Sequence, residues 1–512
     1  MNFASLFHVT LPETALEVAA LLVLIFDLAF LRKASAKTRA ASAAILGIAG
    51  CAASMFAVGA QTGAGLYAGD SLVLVNGGAA AVAQMGILAL TVVTLLLLSD
   101  ADFTKHVGEF VAVILMSASG GLIISAAQDL LVIFIGLELL SIGLYVLTAF
   151  AKKSAKSAES ALKYYLFGGM SAAFLLFGFS YLYGLSGSTY LPRVILGSYQ
   201  SAAQGGGTML AIALVMVAAG LGFKVAAFPF HLWAPDAYEG APAPAAAFIA
   251  SVSKVASFAL LISISTAALH FVEDLASTHA TVGVWTVTHP MALTPGIRGI
   301  WPVILVVLSF ASMTAGNLAA LAQTSVRRLL AYSAIAHAGY VLLGLAYFSY
   351  SPRSSQAVLY YVLTYGLTTI GAFGVVAVVE KATGSDKLES FLGLSKKNPL
   401  IAAVLLVLFL SLAGIPPLVG FWAKFNLFAA ALSIGAGVVP FTLVALAIAM
   451  SAVSLYYYLQ VLKRAYVMPA ADETPVKAGV LTTLVLVLIA AAVVLLGVFP
   501  QILDAWIAGF YR

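Results

Sequence analysis

The chain has 512 residues, of which 62% are hydrophobic and only 9% charged, against roughly 25% charged in a soluble domain. With a mean hydropathy of +1.06, no soluble core could absorb this sequence, and its solvent must be lipid. The formal charge of +5 comes from basic residues scattered through short loops, which excludes a nucleic-acid-binding tract, and the single Cys51 excludes an intrachain disulfide or an all-cysteine iron–sulfur site.

Long unbroken apolar stretches, without the alternation of a spanning strand, point to an all-α polytopic membrane protein. Taken in chain order, about fourteen helices are expected, near 12–31, 40–60, 78–98, 108–126, 129–150, 160–185, 208–233, 242–269, 301–323, 328–348, 356–380, 399–430, 438–462 and 478–507. Each is close to the roughly 20 residues a bilayer crossing needs. No basic region precedes the first apolar run, so it reads as a retained span, not a cleaved signal.

The basic residues test this count. Seventeen, from Arg32 to Lys477, fall in loops on one side, and four (Arg193, Arg298, Arg353 and Arg512) fall on the other. The positive-inside rule then puts the lysine-rich side in the cytoplasm and both termini outside. Four lysines remain, Lys163, Lys224, Lys254 and Lys424, all within spans. Lys163 lies near a helix start, four residues after Glu159, the favourable order for an i,i+4 pair. That pair reads either as interfacial or as functional. Asp27, near the end of span one, reads as interfacial.

The other three lysines are central. A charge at a helix centre costs about 2.5–3.5 kcal/mol on insertion scales, so three of them need a reason. Burial favours the neutral amine and a nearby carboxylate favours the ammonium. A lysine between those pulls can load and unload a proton. Glu138, in FIGLELLSIGLY at the centre of span five, supplies the carboxylate. A buried Lys–Glu pair can also be a static clamp between helices, but one carboxylate cannot neutralise three lysines. His231, two helical turns beyond Lys224, and His337, mid-span in RRLLAYSAIAHAGY, extend the series, although a lone histidine in a span can simply be a satisfied hydrogen bonder.

Spans seven and twelve are interrupted, by Gly222 and Pro229 in one and by Gly414, Pro416, Pro417 and Gly420 in the other. Broken backbone at membrane depth is tolerated where it lines an enclosed path, and paired discontinuous helices mark ion sites in transporters. Lys424 follows Lys224 by 200 residues and His337 follows Glu138 by 199. That offset covers five spans, an odd number, so the second copy is inverted. Two inverted five-helix repeats are therefore expected, spans 4–8 and 9–13, within a single membrane domain covering 1–512. Residues 1–100 hold spans 1–3, 101–270 the first repeat, 300–466 the second, and 478–512 the last span.

These segments also resemble a known family. LELLSIGLYVL, AESALKYY, GFKVAAFPFHLWAPDAYEGAPAP, SVSKVASFALL, RRLLAYSAIAHAGY and GIPPLVGFWAKF together resemble the antiporter-like membrane subunits of respiratory complex I, through nearly the whole chain. HLWAPDAYEGAP, a lysine on span twelve and the lack of a long lateral helix are similar to the subunit N type. The resemblance implies a non-redox, proton-translocating subunit of NADH:quinone oxidoreductase. NADH, FMN, iron–sulfur clusters and quinone would be handled by partner subunits, both membrane and peripheral. It further implies a bacterial plasma-membrane location, with Glu138 and Lys224 as a coupled ion pair, Lys254 as central relay, His337 as a bridge and Lys424 as the residue exchanging protons with the outer side. The apolar surface leaves room for lipid or quinone tails. The loop HFVEDLASTHATVGVWTVTHPMALTPGIRGIW is longer than the resemblance leads one to expect and is given no proton role. The rival reading is a subunit of a stand-alone multisubunit cation/proton antiporter, told apart by a sodium requirement without NADH dependence. A third is a structural scaffold, whose central lysines would be replaceable.

Overall fold

The computed structural model describes all residues except 1–2, 69–70, 101–102, 278–299, 348–351, 434–437, 471–473 and 512. The long loop between spans eight and nine therefore lies largely outside the described residues. Among the described residues, twelve helices are long and apolar enough to cross a membrane. The two other expected spans are shorter. Span one is the helix Leu11–Ile25, continued by a wider turn at Phe26–Phe30. Span twelve is split into Pro399–Ala413 and Val419–Ser433.

Span starts follow local chemistry. Ser35, Asp129, Ser154, Ser325 and Asn398 each accept a hydrogen bond from a backbone amide of the first turn, satisfying donors that a helix start leaves unpaired. Lipid facing is equally simple. On span five, Leu130–Thr148, the residues Leu131, Ile135, Ile142 and Val146 are exposed while Ile133, Leu137, Leu140 and Leu144 are buried.

Burial sorts the spans into centre and rim. By the share of residues buried in its 18-residue apolar stretch, span eight (Ala243–Ala267) reaches 89%, span ten (Val326–Ala346) 94% and span eleven (Arg353–Thr383) 83%. Span thirteen, Val438–Tyr466, is only 28% buried. Lys254 and His337 therefore sit on the two most enclosed helices. Spans nine and ten, Ile300–Leu321 and Val326–Ala346, approach closely because Gly316 faces the backbone of span ten and Gly339 that of span nine. A Cβ on Gly316 would lie 2.6 Å from the Ala336 amide, and one on Gly339 2.7 Å from the Met313 amide. Small residues of this kind let helices pack in lipid.

Several boundaries differ from expectation. Span seven stops at Val225, not near 233, and a separate short helix covers Trp233–Gly240. Span fourteen stops at Val498, and Pro500 starts a distinct helix, Gln501–Gly509. Between spans six and seven lies an amphipathic helix, Leu191–Ser201. Between spans two and three, Ala64–Ala68 and Ser71–Asn76 form an antiparallel hairpin. Its strands are too short to show an alternating pattern in sequence.

Candidate functional site

The seventh span breaks beside Lys224. Ala226 takes a left-handed conformation at φ 56°. The next amides fold back, Ala226 to the Phe223 carbonyl at 3.0 Å and Ala227 to the Gly222 carbonyl at 2.7 Å. Trp233 Nε1 caps the Phe223 carbonyl at 2.9 Å. The Phe228 amide leaves the helix altogether and donates to Ser312 Oγ on span nine at 2.9 Å. His231 thus lies in the broken segment and not two helical turns along the same helix from Lys224. Its ring stacks on Phe228 with centroids 5.0 Å apart, and its Nδ1 has no partner among the described residues.

Lys224 and Glu138 come together as expected, with Nζ and Oε1 3.7 Å apart. Lys224 is buried, and its hydrogen bond goes to Ser141 Oγ at 2.5 Å. Ser141 is one helical turn beyond Glu138, so the ammonium sits between a hydroxyl and a carboxylate of the same helix. Tyr145, a further turn along, is buried, and its hydroxyl has no hydrogen-bond partner among the described residues. Room for that hydroxyl comes from Gly168, where a Cβ would stand 1.9 Å from it.

Lys254 is only 2% exposed, and its ammonium donates to the Val225 carbonyl. This carbonyl is one that the break of span seven frees from its helical partner. The C-terminal end of a helix carries partial negative charge, and the lysine answers it. Lys424 does the same at the second break. Its ammonium donates to the Leu412 carbonyl at 3.0 Å, the Ala413 carbonyl at 2.9 Å and Ser451 Oγ at 2.8 Å. Gly414 lets it approach: at φ 89° the backbone is left-handed, and a Cβ there would be 3.0 Å from the lysine chain. Each broken span thus ends on a lysine ammonium. Both breaks contain a cis X–Pro peptide, Phe228–Pro229 and Pro416–Pro417.

His337, on span ten, is buried, with Nδ1 2.7 Å from the Tyr361 hydroxyl and Nε2 without a hydrogen-bond partner among the described residues. A small cavity of about 10 Å³ is lined by His337, Tyr361, Thr364, Ser411, Gly420 and Ala423. It joins the histidine to the broken segment of span twelve. Tyr340 packs edge-on to His337, with centroids 5.7 Å apart, and its ring lies 5.4 Å from the Lys424 ammonium. Its hydroxyl accepts from Asn317, which in turn accepts from Tyr457.

Glu159 and Lys163 sit elsewhere, on the lysine-rich face. They are 2.7 Å apart and half exposed. Lys163 also reaches Asp236 at 3.0 Å. Asp236 is held by Arg328 at 2.6 Å, and Glu239 by Arg328 at 3.1 Å and Lys156 at 2.6 Å. Arg327 pairs with Glu380 and donates to the Ala241 carbonyl at 2.7 Å. This network ties span six, the short helix after span seven, and spans ten and eleven. Burial alone would raise the Asp236 carboxyl, but hydrogen bonds from Arg328 and Lys163 hold it below the usual carboxylate range. Asp27 pairs with Arg39 at the same face.

Sequence reasoning missed Ser141, Tyr145, Tyr340, Tyr361 and Ser451. One signal was available: Ser141 and Tyr145 share the helical face of Glu138 at spacings of three and seven. Asp236, Glu239 and Arg328 were visible as loop charges, but their mutual pairing was not.

The chain matches the family described as NADH:quinone oxidoreductase/Mrp antiporter, transmembrane, over residues 127–274 and 271–451. It is 46% identical to NADH-quinone oxidoreductase subunit N 2 of Acidobacterium capsulatum, covering 99% of each chain. It is 38% identical to NAD(P)H-quinone oxidoreductase subunit 2 of Thermosynechococcus vestitus, covering 88% of this chain and 81% of that one. A chain of respiratory complex I from Thermus thermophilus superposes with a TM-score of 0.74 at 31% identity, covering 96% of this chain and 98% of that one. A chain of the Mrp complex from Dietzia shares the fold, with a TM-score of 0.75 at 21% identity and 98% coverage of both. With relatives this similar along almost its whole length, the chain belongs to the NADH-quinone oxidoreductase subunit N branch of that family.

Proposed function

We propose that this subunit translocates protons for an NADH:quinone oxidoreductase through a buried relay. Glu138 and Lys224 form the first coupled pair, Lys254 the centre, His337 the bridge and Lys424 the exit toward the opposite face. The observation that supports this reading best is that Lys254 and Lys424 each hold a carbonyl freed by a helix break. A mobile proton needs polar company at membrane depth, and broken backbone supplies it. The hand-off is electrostatic: a change in charge at Glu138 alters its hold on Lys224, and the proton shifts to the next base. His231, in the broken segment, extends the polar path there. Glu159 and Lys163 gather protons at the lysine-rich face.

In this reading the lysine-rich face is cytoplasmic, the termini are periplasmic, and the host membrane is the bacterial inner membrane. Electron transfer from NADH through FMN and iron–sulfur clusters to quinone takes place on partner subunits. Spans 4–8 and 9–13 act as two inverted half-channels within one membrane domain, flanked by spans 1–3 and the last span.

The test is NADH-driven proton uptake in inverted membrane vesicles carrying Lys224→Ala, with assembly checked on the same membranes. Loss of pumping and quinone reduction in an assembled complex supports the relay. Wild-type rates would make Lys224 a structural ammonium and end the reading for this half. The shared fold with an Mrp subunit keeps a second reading, a stand-alone antiporter, in view. A sodium requirement without NADH dependence would select it.

A further inference from the structure

Spans one to three lie outside the proposed half-channels, and the relay makes no use of them. They nevertheless hold a connected polar series. At the face opposite the lysine-rich one, His8 is exposed and its carbonyl accepts from Gln61 Nε2. Asn76 Nδ2 donates to the Val9 carbonyl at 3.0 Å and lies 3.5 Å from Gln61 Oε1. Gln84 Nε2 donates to Asn76 Oδ1 at 3.2 Å and contacts the Leu122 carbonyl on span four at 3.4 Å. All three carboxamides are buried.

Span one brings two carboxyls to the same region. Glu13 and Glu17 are one helical turn apart. Glu17 Oε1 accepts from Ser119 Oγ at 3.1 Å, and Ser119 is one turn from Leu122. Glu13 is 4% exposed, and its Oε2 has no partner among the described residues. Gln84 Oε1, fully buried, is likewise unpartnered. Around Glu13, span two offers Ser54, bonded to the Pro12 carbonyl, and Gln61, while span four offers Ser119. The cations of these spans are at the other end: Lys37 and Arg39 lie in the first turn of span two, Arg39 paired with Asp27, and His106 precedes span four beside Glu109. A carboxylate buried without a counter-charge is strongly disfavoured, whereas a neutral acid can donate as well as accept.

We propose that Glu13, beside Glu17 and the Gln61–Asn76–Gln84 chain, is a second proton-binding site that exchanges with the face opposite the lysine-rich one. It stands independently of the Lys224 relay. The site holds a proton near the outer end of span one, and the carboxamide chain lines the polar way to it.

The probe is dicyclohexylcarbodiimide, which attacks protonated carboxyls in apolar surroundings. The carboxyl oxygen adds to the carbodiimide carbon, its proton goes to nitrogen, and the acyl group migrates to give a stable N-acylurea. Intact complex in sealed vesicles of known orientation is labelled, and modified peptides are read by mass spectrometry. Glu13 should be modified. Labelling should fall at least about threefold when the compartment facing the opposite side is raised from about pH 6 to about pH 9, with the lysine-rich side held constant. Glu13→Gln should abolish that label. Gln84→Leu, which keeps Glu13, should retain the label but slow its response to that compartment. Complex carrying Lys224→Ala should still label at Glu13, separating this site from the relay. An unmodified Glu13, or labelling that follows the pH of the lysine-rich side, would overturn the proposal.

Discussion

Replacing Glu138 with glutamine keeps the shape of the first pair and removes its charge. Lys224 Nζ lies 3.7 Å from Glu138 Oε1. At an effective dielectric of about 20, unit charges about 4 Å apart attract by about 4 kcal/mol. Glu138 retains 28% exposure of its side chain, so screening reduces the attraction, and half of it, about 2 kcal/mol, is a fair working figure. That corresponds to a factor of about thirty in any equilibrium that depends on the pair. NADH-driven proton uptake in inverted vesicles, measured beside quinone reduction and assembly, should fall by about tenfold or more for Glu138→Gln, and Glu138→Asp should recover part of it. The neutral substitution leaves Ser141 in place, so the variant should still assemble. If the assembled variant pumps at the wild-type rate, the electrostatic hand-off is wrong and the pair is a clamp.

Four further outcomes are expected. Tyr361→Phe leaves His337 Nδ1 without its hydroxyl partner, a loss of about 1–3 kcal/mol, and pumping should drop while assembly stands. Gly168→Ala forces Tyr145 from its seat beside Ser141, costing about 1–3 kcal/mol by overpacking, read as a lower thermal midpoint of the purified complex. Gly414→Ala strains a left-handed position by about 1–2 kcal/mol and crowds Lys424, so it should lower both the thermal midpoint and pumping. Asp236 has its folded-state carboxyl held below the ordinary value near 3.8, so its pairing stabilises above that value and is lost as pH falls through the lower folded one. The thermal-midpoint gap between wild type and Asp236→Asn should therefore be full near neutrality and close on strong acidification.

The spans were legible because lipid imposes a simple rule, continuous apolar sequence punctuated by charge. Lys224, Lys254 and Lys424 stood out for the same reason, as violations of that rule. The partners of Lys254 and Lys424 did not. A freed backbone carbonyl leaves no residue-type signature, so Val225, Leu412 and Ala413 gave nothing to read. Helical spacing puts His231 two turns beyond Lys224, but the helix has already ended at Val225, and neither Val225 nor Ala226 announces the stop by residue type. The Asp236–Arg328 contact spans 92 residues, a separation that no local pattern encodes. Glu13, in contrast, was in plain view within LPETALEVAALL. A carboxylate close to a helix start reads as an ordinary dipole partner, and only its burial and an oxygen without a partner among the described residues set it apart.

The contact between Lys254 and the Val225 carbonyl gives the protein an internal optical gauge. A carbonyl that faces an ammonium vibrates at a lower frequency than one left facing an amine or apolar wall. Isotope-edited infrared spectroscopy with carbon-13 placed at Val225 would read the charge state of the central lysine during turnover, without a dye and without altering a side chain.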